Sequence, residues 1–108
     1  MIAQEIRCLL GTFQKNGRTI SQYMFKDGSR MTEVVSKLGE NVQGYRQMYA
    51  DSSGIVNKVI DSIPAWGRSA EVYTRGLGGE LMQESKGVVS KMSGSWDSFV
   101  QKCMNLIA

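Results

Sequence analysis

"MTEVVSKLGENVQGYRQMYADSSGIVNKVIDSI", residues 31–63, carries the spacing on which the fold turns. Met31, Val35, Leu38, Val42, Tyr45, Tyr49, Ser52, Val56, Val59 and Ile63 step alternately by four and three, and only Ser52 is polar. That alternation is the seam of a helix packed along its length against another helix. Val34, Met48 and Ile55 widen the stripe on one flank, beyond what a two-stranded seam needs. The spacing predicts one helix of roughly 33 residues and about 50 Å, with Asp27 or Ser29 capping its start. Gly39, Gly44 and Gly54 lie inside it, each costing about 1 kcal/mol relative to alanine.

The predicted helix ends near Ile63, because Pro64 disfavours helical geometry at the residue before it and Gly67 permits a reversal. Residues 64–68 are thus a turn, and Ser69 caps a second helix. Along that second helix Tyr73, Leu77, Leu81, Val88, Met92, Trp96, Phe99, Cys103 and Ile107 recur at three to four residues, with Glu84 at the one polar step. "KMSGSW", residues 91–96, is a soft point in it. Upstream, Ile2, Ile6, Leu9, Leu10 and Phe13 fit a short amphipathic helix that Asn16-Gly17 stops. Asp27-Gly28 then stands between two β-prone runs, a hairpin signal. The expected fold is all-α: a long antiparallel helical hairpin over 29–108, behind an extension, 1–28, of short helix plus loop or strand. A competing reading pairs the N-terminal hairpin as a sheet within a small mixed α/β domain. No internal repeat is apparent.

Composition narrows the chemistry. The chain has 108 residues and a net charge of +3, and its basic residues never form a run. A surface that tracks phosphates usually concentrates them, so nucleic acid is not an expected partner. No stretch is apolar enough for a transmembrane helix, and "MIAQEIRCLLGTF" lacks the basic lead-in of a secretory signal. Cys8 and Cys103 have no metal-type spacing; they are either two apolar packers or a bridge between hairpin ends. Histidine is absent, which removes the commonest general base and metal ligand. "RGLGGE", residues 75–80, matches no phosphate-binding pattern, and Glu80 with Glu84 reads as a solvated helix face. No enzyme activity, cofactor or metal is expected.

Two helices bury one stripe each against the other, and the leftover flanks predict self-association or a second helical protein as partner. The seven methionines suit such a surface or simply fill a core. Residues 63–73, "IPAWGRSAEVY", complete the pattern, with Trp66, Gly67, Ala70 and Tyr73 in that order. On these residues the chain resembles the Trp-X-Gly (WXG) family of small helical-hairpin proteins of type VII secretion. Gly67 follows Trp66 directly, and the family's tyrosine-acidic tail signal is missing. The resemblance implies a hairpin that dimerises into a four-helix bundle and leaves the cell folded, without a cleaved signal, as a secretion substrate or targeting partner. It also implies that Trp66, Gly67, Ala70 and Tyr73 form the turn motif or partner-binding site. Val35, Leu38, Val42, Tyr45, Tyr49, Val56, Val59, Ile63, Leu77, Leu81, Val88, Met92, Trp96 and Phe99 would then form the core or interface. The alternative is a cytoplasmic helical adaptor, chaperone or phage-type structural subunit.

Overall fold

Period two, the repeat of an extended strand, governs the stretch read above as a helix. The computed structural model describes residues 7–38, 41–63 and 70–107. Its strands are β1 (Arg7–Lys15), β2 (Arg18–Phe25), β3 (Arg30–Leu38), β4 (Asn41–Ala50), β5 (Val56–Ser62), β6 (Glu71–Arg75), β7 (Glu80–Ser85) and β8 (Val88–Ser95), followed by helix α1 (Trp96–Asn105). The eight strands lie in chain order as one antiparallel sheet. The all-α expectation, its helical hairpin and its four-helix bundle are overturned. Residues 29–108 supply six strands and one short helix rather than two long ones.

The false seam has a physical origin. Its four-residue steps, Met31 to Val35 and Tyr45 to Tyr49, are two pleats of a strand. Two of its three-residue steps span bulges. Ser36 pairs Gly44 while Lys37 pairs Val42, so Gln43 is an extra residue between Val42 and Tyr45. Tyr49 pairs Lys58 while Ala50 pairs Val56, so Asn57 is extra between Val56 and Val59. A bulge turns a two-residue repeat into three, and pleats alternating with bulges imitate a heptad.

Turn chemistry sets the meander. Asn16-Gly17 and Lys86-Gly87 close two-residue hairpins with positive φ at both positions, 51° and 76°, 51° and 81°, the twist that suits antiparallel strands. A longer loop recurs at three further connections, β2–β3, β4–β5 and β6–β7. Phe25 donates its N–H to Ser29 O (2.9 Å), Asp51 to Ile55 O (3.0 Å) and Gly76 to Glu80 O (2.9 Å). In each loop the fourth residue, Gly28, Gly54 or Gly79, has φ between 84° and 90° and donates back to the first residue's carbonyl. Asp27-Gly28 lies in the β2–β3 loop, and Asn16-Gly17 turns β1 into β2 instead of stopping a helix.

Helix α1 begins where Ser95 accepts the Ser98 N–H (3.2 Å), a side-chain cap on one of the free donors of the first turn. Asp97 in the first turn and Lys102 in the last complement the helix dipole. The helix lays Trp96 and Cys103 against Met48, Val59 and Leu81, with Val56, Tyr73, Met92, Phe99, Val100 and Ile107 packed around them. Each fully buried large side chain contributes about 1.5–3 kcal/mol. At its far end Lys15 Nζ on β1 donates to Ile107 O (3.5 Å). The helix therefore crosses the sheet from β7 and β8 to β1. The extents of 37 × 34 × 31 Å are nearly equal, so the sheet curls around the helix by its natural twist rather than lying flat. No helix among the described residues is long and apolar enough to cross a membrane.

Candidate functional site

The sheet and the C-terminal end of α1 do not close on each other completely. Between them lies an open cavity of about 300 Å³, lined by β2, β3, β4, β5 and Leu106. Arg18 opens β2, directly after the Asn16-Gly17 turn, and pairs in register with Ser36, which in turn pairs with Gly44. Cross-strand partners point to one face, so a guanidinium and a hydroxyl stand side by side at the cavity edge. Val34, Ile63 and Leu106 supply apolar wall. Gly44 lets β5 come close, since a Cβ there would meet Ser62 O at 3.0 Å.

Arg46 and Asp61 form the cavity floor as a cross-strand pair. Arg46 donates from Nε to Asp61 Oδ1 (2.6 Å) and from Nη2 to Oδ2 (2.8 Å), while Nη1 donates to Cys103 Sγ (3.2 Å). Its guanidinium also lies over the Phe99 ring at 5.5 Å. The hydrogen bonds to Asp61 hold the arginine above its ordinary range, against the opposing effect of burial. Burial pushes the Cys103 thiol up, with the Arg46 charge pulling the other way. A fully buried thiol of raised pKa is a poor nucleophile. Arg18, by contrast, is half-buried, and its side chain makes no ion pair or hydrogen bond among the described residues.

Two polar clusters lie outside this cavity. Tyr73 donates its hydroxyl to Glu71 (2.9 Å), and Gln83 donates to Glu71 (2.7 Å) and to the Tyr73 oxygen (3.2 Å). Burial, then the bond to Glu71, raises the Tyr73 pKa. At the β2–β3 and β4–β5 loops, Asp27 and Asp51 line a hollow of about 240 Å³ with Ser29, Ser52, Asn57 and Lys58. Each carboxylate accepts from its own loop, Asp27 from Ser29 and Asp51 from Ser53 and Ile55. These carboxylates hold turns. Among the described residues no three His, Cys, Asp or Glu side chains gather as metal ligands.

The residues singled out from sequence are dispersed. Trp66 and Gly67 lie outside the described residues. Ala70 is exposed ahead of β6, and Tyr73 packs on Phe99 with ring centroids 4.7 Å apart. Val56, Val59, Leu81, Met92, Trp96 and Phe99 do share the core, though from strands and one short helix. Val35, Tyr45 and Tyr49 alternate onto the sheet face opposite Met48. Val42 is exposed, Leu77 is fully exposed in the β6–β7 loop, and Val88 is exposed on the edge strand β8. Ile63 borders the cavity, and Leu38 ends β3. Arg18, Ser36, Gly44, Arg46, Asp61 and Leu106 were not among the expected site residues. The signal for Arg46 and Asp61 was a charge between apolar neighbours in "GYRQMY" and "VIDSI", which period two places inward. Cys8 and Cys103 are free, one exposed and one buried. Set against protein-family models, curated proteins and solved structures, the chain matches none, and the resemblance to the Trp-X-Gly family does not hold against a sheet of eight strands.

Proposed function

We propose that this protein is a non-catalytic binding module that holds a small molecule in the cavity between β2–β5 and the end of α1. The observation that carries the reading is the combination of apolar wall and convergent polar groups in one concavity. Val34, Ile63 and Leu106 meet Arg18 and Ser36 over a floor clamped by Arg46 and Asp61. Small-molecule sites have this make-up, and about 300 Å³ is the lower end of their size. The rigid floor supports it, since a site held by packed strands needs little ordering on binding. A catalytic reading lacks support: the Cys103 thiol is buried under Arg46, and the hydroxyl of Tyr73 is bonded to Glu71.

The test is two-dimensional NMR of the backbone amides with a library of small fragments. Ser36, Gly44 and Ser62 are expected to shift together and saturably. A Ser36→Trp variant, which fills the cavity mouth, is expected to lose those shifts at an unchanged melting temperature. Shifts that survive in Ser36→Trp would place the binding elsewhere and reject the reading.

A second reading, association with another copy of the chain, is favoured by edge strand β1, whose Leu9, Leu10 and Phe13 are exposed. The bulge between Leu9 and Gly11 interrupts its free backbone edge, so contact would run through side chains. Light scattering of the wild type beside a Leu10→Lys, Phe13→Lys variant tests it: a dimer present only in the wild type is the expected result.

A further inference from the structure

We infer that the cavity selects a monoanion with a short apolar tail, a carboxylate of about a dozen non-hydrogen atoms or fewer, received by Arg18. This rests on the binding reading above and names its ligand class. Among the described residues, three charged side chains line the cavity: Arg18, Arg46 and Asp61. Asp61 neutralises Arg46 through two hydrogen bonds, and the remaining Arg46 amino group is committed to Cys103. One positive charge is therefore left over, on Arg18.

A half-buried guanidinium without a counter-ion among the described residues favours an anion, and its fork matches a carboxylate. Ser36, the cross-strand partner of Arg18, adds a hydroxyl that can donate to the same anion. Among the described lining residues Arg18 is the one cation not neutralised by a carboxylate, which sets the charge of the ligand at one. A dianion would bring a second charge up to Asp61 with nothing to meet it. The α1 dipole opposes an anion at this end, but Lys15 sits on the Ile107 carbonyl and offsets it. Beyond the headgroup, Val34, Ile63 and Leu106 offer only apolar contact, which a tail satisfies and a free phosphate does not. An engineered cavity of about 150 Å³ takes benzene; about 300 Å³ here leaves room for roughly twice as many atoms.

The experiment is titration of the full chain by calorimetry and amide NMR with octanoate, 1-octanol, suberate and inorganic phosphate, in wild type, Arg18→Gln, Arg18→Lys and Ser36→Trp. Octanoate is expected to bind at least about tenfold more tightly than octanol or suberate, with phosphate silent. Arg18→Gln is expected to remove that preference, and Arg18→Lys to keep part of it, at wild-type melting temperatures. Octanol binding as tightly as octanoate, with Arg18→Gln unchanged, overturns the anion assignment while the cavity still binds. No cavity shift with any of the four probes overturns the ligand class, and only failure of the wider fragment library also would take the binding reading with it.

Discussion

Arg46 and Asp61, fifteen residues apart in the chain, meet side by side across β4 and β5 through two hydrogen bonds of 2.6 and 2.8 Å. The pair links two central strands, the cavity floor and the helix, presenting Nη1 to Cys103 on the helix that the sheet enfolds.

Removing one partner should cost more than removing both. Asp61→Ala leaves a guanidinium facing the core with its main acceptor gone. Side-chain exposures of 26% and 22% put the loss below that of a fully buried pair, at about 2–3 kcal/mol. Arg46→Met with Asp61→Leu exchanges the pair for apolar packing and should cost less than Asp61→Ala alone. Urea denaturation of the single and double variants measures both. An Asp61→Ala protein as stable as wild type would show that the pair does not tie the helix to the sheet.

The loop carboxylates predict the acid limb of stability. Hydrogen bonds from Ser29 lower the Asp27 pKa, and those from Ser53 and Ile55 lower that of Asp51, both from an ordinary 3.8. A carboxylate with a depressed folded pKa contributes stability above its unfolded value and loses it as pH falls through the folded one. Stability should therefore drop below about pH 4 partly through these two groups. An Asp27→Asn, Asp51→Asn variant should lose stability at neutral pH and show a flatter decline on acidification. Thermal melts from pH 7 to pH 2 compare the slopes.

The cysteines should behave as two different reagents. Cys8 is exposed on the edge strand, whereas Cys103 is fully buried beneath Arg46 with its thiol pushed up by burial. An aromatic disulfide reagent should modify one thiol at once and the second only at the rate of unfolding. Following thiolate release with and without urea, in wild type and Cys8→Ser, reads this directly. Two fast thiols would mean that α1 leaves the sheet readily.

Parts of this fold are visible in the sequence and parts are disguised. The β2–β3 turn announces itself in Asp27-Gly28, whereas Asn16-Gly17 reads equally as a helix stop, and the spacing of Trp96, Phe99 and Cys103 belongs to a real helical segment. What misleads is the apolar character of both strand faces. Met31 and Val34 are both buried though they point to opposite sides, so clean alternation never appears. Bulges at Gln43 and Asn57 then shift the phase by one residue and complete the imitation of a seam. The recurrence of Gly28, Gly54 and Gly79 marks repeated loops of equal geometry, yet their flanks share no sequence that reads as a repeat. The cavity was harder still. Arg18 and Leu106 come from nearly opposite ends of the chain, and only the curled meander with its returning helix brings them together.

Gly44 tests the close approach that shapes the cavity. Its backbone has no need of a left-handed conformation, so an alanine there is not penalised by φ. The objection is spatial: an added Cβ would sit 3.0 Å from Ser62 O, a backbone atom that cannot swing aside, and 3.7 Å from Ile63. Gly44→Ala should push the end of β5 away from β4 and cost about 1–3 kcal/mol, the usual toll of overpacking. Gly87→Ala serves as a contrast. Nothing lies within 4 Å of its Cβ, but φ is 81°, so its cost is conformational and local to the β7–β8 turn. Amide chemical shifts separate the two. Gly44→Ala should move Arg46, Asp61 and Ser62 together, and Gly87→Ala should leave all three in place. A Gly44→Ala protein whose cavity amides stay put would show that β4 and β5 are looser at this point than the 3.0 Å contact demands.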